Sequence, residues 1–228
     1  MVSAATLSMA LATIPAAAVS IMPGDTLLPP DAFGPISATQ GTLQASTTFV
    51  GSALTFSAIF RQAVYLNTLG TLDFYYQVVQ TGPGSIGENQ EIKSFTVADF
   101  QGFTVDGFAA AGDPDGAGIF ASAFNPPSST TTFGRSGPIG RVVQTDFGGN
   151  GLVQGETSAT YIFRTNATAF DFRGTFGIID GSTVSGLTYQ PIVAAAVPEP
   201  AMWAMMVLGF GAVGSTMRRR SAARSISA

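Results

Sequence analysis

The stretch Leu72-Asp73-Phe74-Tyr75-Tyr76-Gln77-Val78-Val79 decides the fold class of this chain. Its hydrophobic side chains recur at every second position, and an extended backbone points alternate side chains to the same face. The shared face carries Leu72, Phe74, Tyr76 and Val78. Aromatic and β-branched residues of this kind are enriched in strands. The stretch therefore predicts a β-strand with one face in a hydrophobic core.

The same character extends over residues 41–191. Thr, Phe, Val, Ile and Tyr dominate this region, and Gly, Pro, Asn and Asp interrupt them at roughly the spacing of short strands and turns. Further strands are predicted over residues 157–164, 168–179 with a break at Gly174, and 183–189. No segment here keeps a helical period over a full helix length. The sequence predicts a mainly β protein in which residues 41–191 form an antiparallel β-sandwich.

The N-terminal residues 1–18 have the composition of an export signal. They are mostly Ala, Leu, Met, Ile and Val, without a charged side chain, and Ala16 and Ala18 match the small-x-small pattern that signal peptidase cleaves. Cleavage is predicted after Ala18, following passage through the Sec machinery. The basic segment that normally precedes the apolar stretch is absent, so either the true start lies upstream or the amino terminus alone supplies the charge. Residues 19–40, rich in Pro and Gly, predict a loop-like and flexible lead-in.

Three units follow one another after a short apolar spacer at residues 192–197. Pro198-Glu199-Pro200 ends any preceding strand, because proline fixes φ and lacks an amide donor. The uncharged run 201–217 has seventeen residues and would span about 26 Å as a helix, close to the ~30 Å of a hydrocarbon core. Arg218, Arg219 and Arg220 would hold its end on the cytoplasmic side. The run therefore predicts a transmembrane helix with a cytoplasmic C-terminus.

The residues of this tail resemble the PEP-CTERM sorting signal, in the variant that continues to a Trp-Ala pair. The matching residues are Pro198, Glu199, Pro200, Trp203, Ala204, Gly209, Gly211 and the three arginines. The resemblance implies that a membrane peptidase, an exosortase, recognises the tripeptide, removes the helix and passes the body on. It also implies a transient stay in the inner membrane, a final location at the cell surface or outside the cell, and association with exopolysaccharide or biofilm. A plain single-pass anchor is the alternative that the residues alone leave open.

The inventory of chemistry-bearing residues is poor for an enzyme. The chain has no His and no Cys, and Lys93 is its only lysine, so the commonest general base, metal ligand and thiolate are missing. Ser94, Ser136 and Ser158 therefore lack a histidine base, and no Ser-x-x-Lys motif is present. Residues 1–197 carry six basic and thirteen acidic side chains, a net charge of −7, which disfavours nucleic acid as a partner. We predict a non-catalytic protein without metal or cofactor.

Acidic residues offer two weaker alternatives. Residues 113–116, Asp-Pro-Asp-Gly, place carboxylates at alternate positions as a calcium loop does, but no further oxygen ligands follow, which favours a simple turn. Glu88 with Glu91, or Asp99 with Asp106, could form the paired carboxylates of a glycosidase. Nothing in their spacing favours either pair.

Aromatic residues raise a second binding function. The chain has 18 Phe, 5 Tyr and 1 Trp. An exposed row of tyrosines could stack on sugar rings, which would make the protein a carbohydrate-binding module anchored at the cell surface. Alternating aromatics more often fill the core of a sandwich. The core is favoured here because Phe outnumbers Tyr and Trp203 lies in the tail.

These observations predict a linear organisation of the chain. The predicted parts are a signal peptide at 1–18, a lead-in at 19–40, a β-sandwich ectodomain at 41–191, a spacer at 192–197, a sorting signal at 198–221 and a cytoplasmic tail at 222–228.

Overall fold

The computed structural model describes residues 18–27, 41–114, 116–121, 131–194 and 204–213. Within these ranges the chain forms eleven β-strands and one helix, α1, at residues 204–213. The strands are β1 (Val19–Ser20), β2 (Thr42–Ser52), β3 (Ser57–Leu66), β4 (Leu72–Gly82), β5 (Ser94–Val97), β6 (Val105–Ala110), β7 (Thr132–Arg135), β8 (Val143–Asp146), β9 (Thr160–Thr165), β10 (Ala169–Asp180) and β11 (Ser182–Ile192).

The strands form two antiparallel sheets. The first sheet has six strands in the order β1-β6-β9-β4-β3-β2, and the second has five in the order β11-β10-β5-β8-β7. Strands that follow one another closely in sequence form hairpins, as β3 with β4 and β10 with β11. The remaining neighbours, such as β4 with β9, come from distant parts of the chain. The predicted antiparallel β-sandwich is confirmed.

Aromatic side chains from both sheets fill the space between them. Phe60 of the first sheet stacks on Phe176 of the second with ring centroids 4.1 Å apart. Phe95 of the second sheet lies 5.7 Å from Tyr161 of the first. The predicted core face of β4 lies in this cluster, with Leu72, Phe74, Tyr76 and Val78 all buried. Burial of large aromatic surfaces in such a layer is the main stabilising contribution to a sandwich.

The opposite face of β4 is buried as well, which strict alternation does not predict. Tyr65, Tyr75 and Ile162 form a second cluster there with Phe120, which belongs to the segment after β6. Gln77 of β4 holds this segment by accepting the backbone N–H of Ala121 at 2.8 Å and donating to its carbonyl at 3.2 Å. A polypeptide segment therefore covers part of the outer face of the first sheet.

The predicted break at Gly174 is a β-bulge inside one continuous strand. The register of β10 against β11 shifts between Asp171 and Gly174, where two residues face one on the partner. A Cβ atom at Gly174 would lie 2.9 Å from the Cβ of Gln190, so this position requires glycine for the close approach of β11. The strand bends and continues instead of ending.

The prediction of a loop-like lead-in is corrected at its beginning. Val19 and Ser20 form β1, which pairs with β6, and Ile21 is completely buried in the main core. The pairing with β6 and the burial of Ile21 outweigh the local turn chemistry of the Pro-Gly pair that follows. At the other end, Ile192 belongs to β11 and not to the predicted spacer.

Candidate functional site

The described residues include few of those predicted to direct sorting. Ala204 is the first residue of α1, whereas Pro198, Glu199, Pro200, Trp203 and the arginines Arg218, Arg219 and Arg220 lie outside the described ranges. Ala16 also lies outside them, and Ala18 is exposed immediately before β1. The large apolar side chains of α1 are all at least half exposed.

The structure describes only part of the apolar run in the tail. The described residues 204–213 of the apolar run 201–217 are helical, and the rest of the run lies outside the described ranges. In the parts of the chain that the structure describes, no helix has the length and hydropathy needed to cross a membrane.

The compact sandwich ends shortly before the tripeptide. The chain divides into one compact unit at Met1–Val193 and a second at Ala194–Ala228. The last strand, β11, ends at Ile192, so residues 193–197 lie between it and Pro198 in the sequence. Every strand named above therefore precedes the tripeptide.

The acids considered for a glycosidase site bond to neighbouring groups. Glu91 pairs with Lys93 at 2.6 Å, and this bond holds the pKa of Glu91 below its usual range. The carboxylate of Glu88 accepts a hydrogen bond from Gln90 at 3.0 Å. Asp99 follows β5 of the second sheet, and its carboxylate pairs with Arg141 at 2.8 Å.

Asp106 lies in β6 of the first sheet, opposite Arg164 in the β-ladder. Asp106 is therefore on a different sheet from β5, the strand that precedes Asp99, the residue considered as its partner.

Two of the three serines considered as nucleophiles hydrogen-bond backbone groups, and the third is buried in a strand. Ser158 is completely buried, donates to the carbonyl of Ala159 at 2.7 Å and accepts the N–H of Val78 at 3.0 Å. The hydroxyl of Ser136 accepts the N–H of Val142 at 2.9 Å. Ser94 is buried in β5.

The acidic turn at residues 113–116 is closed by its own backbone. The N–H of Gly116 donates to the carbonyl of Asp113 at 3.4 Å, and a carboxylate oxygen of Asp113 also accepts the N–H of Gly118 at 2.8 Å. Asp115 lies outside the described residues. Among the described residues, no group of three or more acidic side chains lies close enough together to hold a metal ion.

Most tyrosines are core residues. Tyr65, Tyr75, Tyr76 and Tyr161 are buried, and burial raises the pKa of both Tyr76 and Tyr161 far above the usual value. Tyr189 is partly buried against the core. The five tyrosines therefore do not form the exposed row that stacking on sugar rings requires.

Two buried charged groups were not singled out by their sequence context. Arg135 is almost fully buried and donates hydrogen bonds to the carbonyls of Ile21, Phe100, Phe103 and Gly140. Burial lowers its pKa. No local pattern marks this role, because its acceptors come from three separate segments of the chain.

Asp180 is also buried, with 8% of its surface exposed. Burial raises the pKa of its carboxyl, and the charge of Glu91 raises it further. Its Oδ2 has no hydrogen-bond partner among the described residues.

A groove also brings together residues that the sequence does not group. Its volume is about 580 Å³, and it is lined by Asp99, Gln101, Phe103, Arg173 and Gln190 together with the end of β11. It combines a carboxylate, two amides, a guanidinium and an aromatic ring. Such a mixture is suited to hydrogen-bonding a polar ligand.

Comparison with known protein families matches residues 196–221 to the PEP-CTERM protein-sorting motif. No curated protein and no solved structure matches the chain. The matched residues include the Pro-Glu-Pro tripeptide, the Trp-Ala pair, the apolar run and the arginine cluster. This motif implies an exported protein whose processing partner is an exosortase. The chain is therefore a β-sandwich protein that carries the PEP-CTERM sorting motif at residues 196–221.

Proposed function

We propose that the β-sandwich is a non-catalytic surface or extracellular-matrix protein that associates with exopolysaccharide or biofilm. Signal peptidase removes residues 1–18, the apolar run holds the chain briefly in the inner membrane, and an exosortase cleaves near Pro198. The body is then released to the cell surface or the surrounding matrix.

The observation that carries this proposal is the order of sandwich and motif along the chain. The matched residues begin at residue 196, after β11 has ended at Ile192. Cleavage near the tripeptide leaves all eleven described strands in the released part. The body therefore keeps its core and its strand pairings when the tail is removed.

The residue inventory supports a role without catalysis. Residues 1–197 contain no histidine or cysteine. The hydroxyls of Ser136 and Ser158 bond backbone groups, and Ser94 is buried in β5. The net charge of −7 keeps such a body soluble after release and repels anionic polymers.

Intact-mass measurement of the protein from culture medium and from membranes tests the processing step. We expect a secreted form that ends near Pro198 in cells with the exosortase, and an intact membrane-held form in cells without it. Glu199→Ala should give the intact form even when the exosortase is present, whereas Glu88→Ala, an exposed acid in the body, should be processed normally. An intact C-terminus in the exported wild-type pool would overturn the proposal.

A carbohydrate-binding module at the cell surface is the second candidate. The groove beside the end of β11 favours it, because its amide, carboxylate and aromatic groups are those that hold sugars. As a carbohydrate-binding module, the body would bind the polysaccharide directly.

A further inference from the structure

We infer that the groove lined by Asp99, Gln101, Phe103, Arg173 and Gln190 binds a neutral, hydroxyl-rich polysaccharide chain. This inference rests on the proposed association with exopolysaccharide and assigns it to one site on the body. The five residues come from the loop after β5, from the bulge in β10 and from the end of β11.

Hydrogen bonds from Arg135 and to the strand β10 hold the loop that supplies three of these residues. Arg135 donates to the carbonyls of Phe100 at 2.7 Å and Phe103 at 2.9 Å, and the N–H of Ala98 bonds the carbonyl of Thr175 at 2.9 Å. These bonds anchor the loop at its start, middle and end. A groove wall held in this way loses little conformational freedom when a ligand binds.

Asp99 has an unusual backbone conformation in this loop. Its φ is 73°, and it is the only residue other than glycine with a positive φ in the described ranges. Aspartate tolerates this region better than most residues but still adopts it at some cost. The turn places the Asp99 carboxylate in the groove, where it is paired with Arg141.

The opposite wall is shaped by the bulge in β10. Arg173 is one of the two residues that face a single residue of β11 there, and its Nε donates to Asp171 at 2.6 Å. Gln190 lies across from Asp171 in β11, and its Oε1 is enclosed without a hydrogen-bond donor among the described residues. A ligand hydroxyl entering the groove supplies that donor after a rotation of the amide. Enclosed acceptors of this kind are uncommon in folded proteins and call for a partner.

The chemistry of these groups selects the ligand. The amides of Gln101 and Gln190 can both donate to and accept from hydroxyl groups, and the Asp99 carboxylate accepts from them. Phe103 is only partly buried and offers an apolar surface against which the C–H face of a sugar ring can pack.

Charge excludes acidic polymers from this selection. Arg173 and Arg141 are already paired with Asp171 and Asp99, so neither is a free cation for a uronate or phosphate group. The body also carries a net charge of −7, which repels a polyanion. A neutral polysaccharide needs no free cation in the groove and is not repelled by the charge of the body.

Affinity electrophoresis of the exported protein tests the site. Native gels contain dextran, xylan, hydroxyethylcellulose, alginate, the exopolysaccharide of the producing cell, or no polymer. We expect retardation of the wild type by the cell's exopolysaccharide and by at least one neutral polymer, and none by alginate. Phe103→Ala and the double variant Gln101→Ala/Gln190→Ala should bind at least about tenfold more weakly, since tenfold corresponds to the loss of one good contact.

Gln44→Ala is the matched control, because Gln44 is an exposed glutamine on β2 of the other sheet. It should be retarded like the wild type, and thermal unfolding should show that all variants remain folded. Retardation of the groove variants equal to that of the wild type would overturn the site but leave polysaccharide association standing. A wild type that no polymer retards, the cell's own exopolysaccharide included, would overturn both. Retardation by alginate alone would overturn the choice of a neutral chain.

Discussion

The side-chain Oε1 of Gln62, on β3, accepts the backbone N–H of Tyr189, on β11, at 3.0 Å, although these strands belong to different sheets. The Nε2 of the same amide donates to the carbonyl of Leu187 at 3.1 Å. β11 is an edge strand of the second sheet, and no other strand of the described ranges pairs with its outer side. The amide of Gln62 thus replaces a strand partner and links the two sheets along one side of the sandwich.

Replacing Gln62 by leucine should destabilise the body by about 3 kcal/mol. Gln62 is completely buried, so the change leaves the N–H of Tyr189 and the carbonyl of Leu187 without partners, at about 1–3 kcal/mol for each group. Urea unfolding of the exported protein measures the difference. The matched change Gln44→Leu, on an exposed side chain, should alter the free energy of unfolding by less than about 0.5 kcal/mol. Equal effects of the two changes would contradict this role.

Arg135→Met should loosen three segments at once. The variant removes the guanidinium donor from four carbonyls, three of them in buried hydrogen bonds and one in a part-buried one, which we expect to cost about 3–5 kcal/mol. Hydrogen exchange should accelerate around Ile21 and in the loop from Ala98 to Phe103. Arg141→Met, which removes an exposed arginine from an ion pair, should cost about 1 kcal/mol or less. Unchanged exchange around Ile21 in Arg135→Met would show that this hub does not hold the N-terminal segment.

The exported protein should begin at Val19. Cleavage after Ala18 leaves β1 complete, with its pairs Val19 to Gly107 and Ser20 to Asp106. N-terminal sequencing of the secreted form checks this. A first residue beyond Ile21 would contradict it, because β1 and a core side chain would then be missing from the mature body.

Ile21→Ala should destabilise the body by about 3 kcal/mol. The residue is fully buried in the main core, so the shorter side chain loses apolar burial and leaves a cavity. Met22→Ala, at the next and exposed position, should change the unfolding free energy by less than about 0.5 kcal/mol. Thermal or urea unfolding separates the two variants. A harmless Ile21→Ala change would mean that the N-terminal segment contributes little to the core.

Asp180→Asn should change how stability depends on pH. Burial and the nearby charge of Glu91 raise the pKa of Asp180 in the folded state, against a smaller opposing effect of Lys93. The folded state therefore holds this proton more tightly than the unfolded state. The protonated Asp180 carboxyl therefore contributes stability at low pH, and this contribution is lost as the pH rises through the raised pKa.

The asparagine variant should match the wild type in acid and be more stable than it at neutral pH. Urea unfolding at a series of pH values measures this difference. Glu88→Gln, at an exposed acid, should follow the wild-type curve. A difference between Asp180→Asn and the wild type that stays constant with pH would contradict the assignment.

The sequence predicted those features of β4 and β10 that depend on neighbouring residues, and it missed those that depend on contacts from distant segments. The alternation in residues 72–79 identified the core face, because a strand presents alternate side chains to one side whatever its neighbours are. It could not show that Tyr75 is buried too, since Phe120 reaches that face from a segment far along the chain. The glycine at 174 was recognised as an irregularity, but only the approach of Gln190 shows that it is a bulge.

The sequence by itself determined the strand-rich character of the body and the sorting motif in the tail, because both are carried by residues that are close together along the chain. A local period and a short linear motif keep their meaning without any knowledge of distant contacts. Only the tertiary structure decided which strands pair, that Gln62 supports β11, that Arg135 holds three segments, and that a groove forms beside the bulge. Those features depend on groups separated by dozens of residues, and they exist only after the two sheets have packed together.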